Sequence, residues 1–263
     1  MNRIEKKFRE LKKIKKKVFI AFVTAGYPTL QATESLVLAF EKNGADIIEL
    51  GIPFSDPLAD GPIIQASSHH ALQKGVTVKK IFALVARIRK KSQIPMALMT
   101  SYNSIFHLGE ERFVKEARRA GVDGIIVPDL PPEEGEGLIK AAKRNRLAVV
   151  FFLSPTTTKN RMKSIMKASS GFIYYISLTG VTGVLRAVPS DVVRNVKMAK
   201  RMTQKPVCVG FGISTPAQVK SIGKIADGVI VGSAIVKEIQ KNLKKRDLVR
   251  RVSRFVFRLA KSL

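Results

Sequence analysis

One repeated pattern constrains this 263-residue chain more than any other feature. Eight short runs rich in β-branched and other apolar residues recur along it: Val18–Thr24, Asp46–Gly51, Pro95–Thr100, Gly124–Val127, Leu147–Leu153, Phe172–Ser177, Val207–Gly210 and Gly228–Val231. Each is followed by an amphipathic helical pattern, at about Thr29–Asn43, Val78–Lys91, Glu110–Ala120, Pro132–Asn145, Lys159–Ala168, Ser190–Met202, Thr215–Ile222 and Ala234–Asn242. The strand runs are almost continuously apolar, as strands covered on both faces must be. Pro132, Pro189 and Pro216 stand near helix starts, where a missing N–H costs nothing. Eight such β–α units in about 250 residues predict an α/β fold, the (β/α)8 or TIM barrel. A doubly wound open sheet is the competitor, and no GxGxxG follows the first strand to support it. A helix over about Arg3–Lys13 precedes the first strand and would close the barrel's bottom. We divide the chain into a single barrel domain, 1–243, and a basic amphipathic C-terminal extension, 244–263.

Charge is the second constraint. There are 47 Lys+Arg against 20 Asp+Glu, a net +27, and the two ends hold much of it: +7 over residues 1–17 and +8 over 237–263. Basic ends of this kind bind nucleic acid or anionic membrane, or simply stay solvated. The N-terminal lysines are accompanied by one aromatic, Phe8, and no nucleic-acid motif, so no nucleic-acid partner is expected. Leu248, Val252, Phe255, Val256, Leu259 and Leu263 recur at helical spacing among arginines. Such a helix lies on a membrane, docks on a partner or packs on its own core. No apolar run approaches the ~18–20 residues that span a bilayer, and no signal peptide is expected. Cys208, the only cysteine, sits in an apolar run, which suits an inert thiol in a reducing cytoplasm.

Against this basic background, ELGIPFSDPLADGP at 49–62 places Glu49, Asp56 and Asp60 within twelve positions, while Gly61 to Gly109 contains no acid at all. Glu49 ends an apolar strand, so its carboxylate can project, desolvated, into the barrel mouth with a raised pKa suited to proton transfer; a buried salt bridge is the alternative. Asp60 lies in a loop able to fold over the same mouth. Two carboxylates in different settings can divide acid–base and charge-stabilising work, although Ser-Asp-Pro and Ala-Asp-Gly-Pro are also ordinary turn formers. Glycines follow three late strands: Gly183, Gly212 and Gly232, the last beside Ser233 at a helix start. They make tight turns or, taken together, a phosphate cradle of backbone N–H groups. No strand run holds a lysine for a Schiff base, and His69, His70 and His107 lack metal-ligand spacing. The site reads as free of cofactor and metal.

At this point the motifs converge. FVTAGYP at 22–28, ELGIPFSDPLADGPIIQ at 49–65, GVDGIIVPDLPPEE at 121–134, SLTGVTG at 177–183, GFGIS at 210–214 and GVIVGSAIV at 228–236 resemble, in order, the α subunits of tryptophan synthase. The resemblance implies the barrel and a retro-aldol cleavage of indole-3-glycerol phosphate to indole and glyceraldehyde 3-phosphate. It also implies an α2β2 assembly in which a β subunit, holding its own pyridoxal phosphate, receives the indole through a tunnel. By resemblance Glu49 is the general acid/base and Asp60 accepts from the indole N–H. Tyr174 orients substrate, and Phe22, Leu153 and Phe211 wall the pocket. Gly183, Gly212, Gly232 and Ser233 cradle phosphate, and Thr182 links loop closure to Asp60. Ser101 stands where the family usually has an aromatic. A second reading is a mainly regulatory partner that activates the β subunit with weak lyase activity of its own.

Overall fold

A computed structural model describes residues 1–56, 60–177, 189–210 and 212–263. Its strands are β1 (Val18–Thr24), β2 (Ile47–Gly51), β3 (Met96–Met99), β4 (Gly124–Ile126), β5 (Ala148–Val150), β6 (Phe152–Leu153), β7 (Ile173–Ile176), β8 (Val207–Gly210) and β9 (Gly228–Val231). Its helices are α1 (Arg3–Lys13), α2 (Leu30–Lys42), α3 (Pro62–Gln73), α4 (Val78–Arg89), α5 (Tyr102–Leu108), α6 (Glu110–Ala120), α7 (Glu136–Arg144), α8 (Lys159–Ala168), α9 (Ser190–Met202), α10 (Pro216–Gly223), α11 (Ser233–Lys241) and α12 (Leu248–Ala260). The strands pair in parallel in the order β5-β4-β3-β2-β1-β9-β8-β7-β6. The two ends of that order are halves of one stretch of chain, interrupted only at Phe151, so the sheet curls back on itself. Ser170 N–H donates to Val149 O at 2.7 Å and Tyr174 N–H to Phe151 O at 3.2 Å across the seam. The result is the predicted barrel, with the fifth strand written in two pieces.

Strand alternation sorts the apolar residues into two clusters. Ile20, Ile47, Ala97, Ile126, Val150, Tyr174, Cys208 and Ile230 fill the barrel, whereas Phe19, Ile48, Leu50, Leu98, Val149, Phe151 and Val209 face the helices. Helix α1 plugs the bottom as expected. Asn2 caps it through a capping box with Glu5, and Ile4 and Phe8 point into the lumen, Phe8 lying 5.8 Å from the Phe172 ring. Helix α12 buries Val252, Val256 and Leu259 completely, packed on α2, α10 and α11, and leaves Arg250, Arg251, Arg254 and Arg258 in solvent.

The bottom is pinned by a repeated device. Asp46, Asp123 and Asp227 each sit just before a strand and accept the N–H of Phe19, Met96 and Val207 on the neighbouring strand, at 2.9–3.0 Å. Ser170 does the same for Val149. Asp123 is wholly buried and also takes Arg3 at 3.0 Å and Arg89 at 3.1 Å.

Two helices were not foreseen. Helix α3 packs through Ile64, Ser67, Ser68 and Ala71, a face too small and polar to show an apolar period. Helix α5 is only 7 residues long. Helix α7 starts at Glu136 rather than Pro132, because Glu134 and Gly135 turn back onto the carbonyls of Pro131 and Pro132.

Replacing Asp123 by Ala should cost about 3–5 kcal/mol in urea unfolding, since it strands the buried Arg89 and an interior N–H. Glu34→Ala, which loses only exposed partners in Arg87 and Lys91, should cost under about 1 kcal/mol.

Candidate active site

The alternation of β2 turns Ile47 and Glu49 inward and Ile48 and Leu50 outward. Glu49 pairs in register with Phe22 on one side and Ala97 on the other. It is therefore held by the sheet itself and not by a loop. It is 1% exposed, and neither carboxylate oxygen has a hydrogen-bond partner among the described residues. The salt-bridge alternative is thus not what the structure contains. Burial, and then the nearby Asp60 carboxylate, push its pKa up to about 8. Burial alone pushes Asp60 up to about 6. At neutral pH the pair therefore divides, with Glu49 mainly protonated and Asp60 mainly ionised.

Tyr174 on β7 faces the same interior. Its hydroxyl is pushed well above its ordinary value by burial, then by the fields of Glu49, Cys208 and Asp60. The ring lies 4.8 Å from Phe152. Two glycines make room for the aromatic residues at the mouth. A Cβ on Gly51 would sit 2.6 Å from the Phe22 ring, and one on Gly210 would sit 2.6 Å from the Tyr174 hydroxyl.

Above Glu49 opens a cavity of about 280 Å³. Phe22, Ile52, Phe54, Ile64 and Met99 give it apolar walls, while Asp56, Asp60, Ser101 and Asp129 supply the polar side. Ser101 Oγ donates to Asp129 at 2.6 Å, and Tyr102 N–H donates to the same carboxylate at 2.9 Å, so Ser101 and Asp129 are bonded to one another. Of the residues singled out in the sequence, Phe22 and Asp60 line this cavity and Glu49 and Tyr174 sit beneath the mouth. Leu153 does not join them. It is fully buried in the cluster facing the helices, and Phe152 turns inward instead. Gly212 follows β8 with φ +73°, and Gly232 precedes α11, whose first residue is Ser233 and whose leading N–H groups receive no side-chain cap. Thr182, Gly183 and Phe211 lie outside the described residues. Ile64, Met99, Pro128 and Asp129 were missed in the sequence; the strand-end and loop positions of the last three were the only available signal. His70 sits 3.2 Å from Pro28 O and His69 contacts Gln73, and no three potential metal ligands gather among the described residues.

A parallel barrel with a buried carboxyl beneath its C-terminal mouth and a second one beside it, at the end where this fold keeps its chemistry, has the form of a barrel enzyme. Comparison with known proteins makes the class specific. The family model for the tryptophan synthase alpha chain matches residues 8–262. The tryptophan synthase alpha chain of Geotalea daltonii is 52% identical over 241 residues, 92% of this chain and 91% of that one. That of Caldanaerobacter subterraneus is 45% identical over 263 residues and the full length of both. The crystal structure of the alpha subunit from Legionella pneumophila superposes with a TM-score of 0.93 at 35% identity, covering 100% of this chain and 98% of that one. The chain belongs to the tryptophan synthase alpha chain family, lyases of the indole-3-glycerol phosphate half-reaction. The alpha chain needs no cofactor of its own, since pyridoxal phosphate belongs to the beta subunit with which the family forms its complex. No helix among the described residues is long and apolar enough to cross a membrane.

The raised Glu49 pKa has a stability consequence. The folded chain holds a proton that the unfolded chain releases above about 4.5, so stability falls as pH rises from about 4.5 to about 8. At roughly 1.4 kcal/mol per unit the ceiling is on the order of 5 kcal/mol. Glu49→Gln removes this penalty. Its Tm advantage over the wild type should be small at pH 5 and grow to a maximum near pH 8.5; an advantage that is flat with pH would contradict the burial of a titrating carboxyl.

Proposed function

We propose that Glu49 moves the protons of the lyase reaction and that Asp60 holds the indole nitrogen. The observation that carries this reading is a carboxyl wholly buried, with no hydrogen-bond partner among the described residues, within the field of a second carboxylate. Protonated Glu49 gives its proton to C3 of the indole ring, which becomes a cationic indolenine. Ionised Asp60 accepts the ring N–H and stabilises that cation, a contribution of roughly 3–4 kcal/mol in a dry site. The Glu49 carboxylate then takes the proton of the adjacent glycerol hydroxyl. The carbon–carbon bond breaks, its electron pair returns to the ring, and indole and the aldehyde of glyceraldehyde 3-phosphate result. Glu49 ends the cycle protonated, as it began.

Around this pair, Phe22, Phe152 and Phe211 wall the indole, and Tyr174 sets its plane. Gly183, Gly212, Gly232 and Ser233 offer backbone N–H groups and a hydroxyl to the phosphate, aided at α11 by the helix N-terminus. Thr182 ties closure of its loop to Asp60, excluding water. The chain works in an α2β2 assembly, where the beta subunit consumes the indole. The same reading places it in the cytoplasm, where Cys208 stays reduced. A mainly regulatory role gives no reason to bury a carboxyl that has no hydrogen-bond partner among the described residues, which costs stability at neutral pH.

Indole release from indole-3-glycerol phosphate, assayed with and without a beta subunit, tests the assignment. Glu49→Gln should abolish release while still activating the beta subunit. Full activity in that variant would remove Glu49 from the mechanism. Asp60→Asn should lower kcat by roughly 10²–10³. Wild-type kcat/KM should follow a bell with limbs near about 6, where Asp60 must be ionised, and about 8, where Glu49 must keep its proton. The acidic limb should disappear in Asp60→Asn.

A further inference from the structure

The end of the barrel opposite the active site carries a groove of about 780 Å³, walled by α1, the turn into β1 and the segments that lead into β7, β8 and β9. Seven cations line it: Arg9, Lys12, Lys15, Lys16, Lys17, Lys200 and Lys205. Its two acids are already engaged. Glu5 closes the α1 capping box, and Asp227 takes Lys200 at 2.7 Å, Lys17 at 3.9 Å and the Val207 N–H. Lys205 is engaged too, donating to the carbonyls of Met166 and Ser169. That leaves Arg9, Lys12, Lys15 and Lys16, all exposed, and none has an ion-pair partner among the described residues. A second groove continues past Met1, Glu5 and Ser170 and adds Lys143, Arg146 and Lys167.

Backbone geometry supplies an independent sign that these cations are placed there. Five helices end in a similar way: a residue at or just past the C-cap turns left-handed and the next N–H reaches back five residues. Three use glycine, as sterics favour: Gly44, Gly75 and Gly121. The other two use Lys15 at φ 57° and Arg146 at φ 56°, the only two non-glycine residues with positive φ among those described. These two residues line the two basic grooves, one each. The Lys15 turn folds Lys16 and Lys17 back beside Lys12 on the groove wall, with Lys16 N–H donating to Leu11 O at 2.9 Å.

We infer that this groove binds a compact polyphosphate anion. Its volume falls within the range of small-ligand sites. Lysine ammonium groups are point-charge donors to phosphate oxygens and need no planar partner. The single aromatic residue in the lining, Phe8, is turned into the core at 7% exposure, so a nucleobase finds no surface to stack on. The ligand is distinct from the substrate, whose site opens at the other end of the barrel.

Isothermal titration of the full chain with inorganic tripolyphosphate at 0.15 M salt tests this. One saturable site is expected. The triple variant Lys12→Glu, Lys15→Glu, Lys16→Glu should weaken it at least about tenfold. A triple variant of equal charge change at exposed outer positions, Lys79→Glu, Lys237→Glu, Arg254→Glu, should stay within about twofold. Lyase activity should persist in both and reports folding. If the first triple fails to fold, Lys15→Gly serves. It suits the left-handed turn, so Tm should rise while binding weakens about threefold. Equal weakening in both triples, no saturable site, or unchanged binding in Lys15→Gly would reduce the groove to bulk charge and overturn the proposal. So would tight binding of an oligouridine that tripolyphosphate fails to displace, which would make the face a nucleic-acid surface.

Discussion

Everything at the mouth of this barrel depends on one carboxyl kept out of water with no hydrogen-bond partner among the described residues. A buried ionised carboxylate lacking hydrogen bonds is too costly to persist, so the group responds by holding its proton. Glu49 has no freedom to avoid this. Its backbone is a central strand residue paired on both sides, with Phe22 and Ala97 as neighbours in register. A glutamate on a loop would turn toward solvent and titrate normally. The parallel sheet thus acts as the constraint, and the raised pKa is its consequence. Asp60, with less of its surface buried and set in a loop, settles lower, and the difference between the two makes one a donor and the other an acceptor at the same pH.

That constraint is only as firm as the barrel beneath it. The strand bottoms are tied by acids used in the opposite way. Asp123 is as deeply buried as Glu49, yet it takes two guanidinium groups and a strand N–H. Two acids of equal burial are thus paired and structural at one end and, at the other, without a hydrogen-bond partner among the described residues. The division matches the general separation of stability and chemistry between the two ends of such barrels.

Much of this was legible in the chain. The strands Val18–Thr24, Val207–Gly210 and Gly228–Val231 and the helices Arg3–Lys13, Glu110–Ala120, Lys159–Ala168 and Ser190–Met202 lie where apolar periodicity puts them. Glu49 stood out because a charge closing an apolar strand needs an explanation. Leu153, given as a pocket wall by resemblance, lies in the cluster facing the helices; Val149 to Leu153 is unbroken apolar sequence, and nothing in such a run marks which parity faces in. Only pairing across the seam decides it, and it selects Phe152. Helix α3 was hidden for a related reason. Its buried face is built from Ser67, Ser68 and Ala71, with Ser67 bonded to Thr24 at 2.6 Å, and close packing of small residues leaves no hydrophobic period. The size of the pKa shifts was also beyond reach, since it reflects three-dimensional desolvation and no local motif.

The positive charge of the chain and the scarcity of its acids belong to the same problem. The substrate of the family's half-reaction brings a phosphate to a mouth lined by Asp56, Asp60 and Asp129, with Glu49 beneath them. An ionised Glu49 would add to the repulsion across a low-dielectric cavity, where screening is weakest. Burial resolves the conflict. With Glu49 neutral near pH 7, one negative charge fewer opposes the phosphate. The net charge of +27 keeps the overall field of the chain attractive to anions. Desolvation therefore does two jobs with one group: in the proposed mechanism it readies a proton for C3, and it removes a charge that would otherwise oppose the approach of an anion.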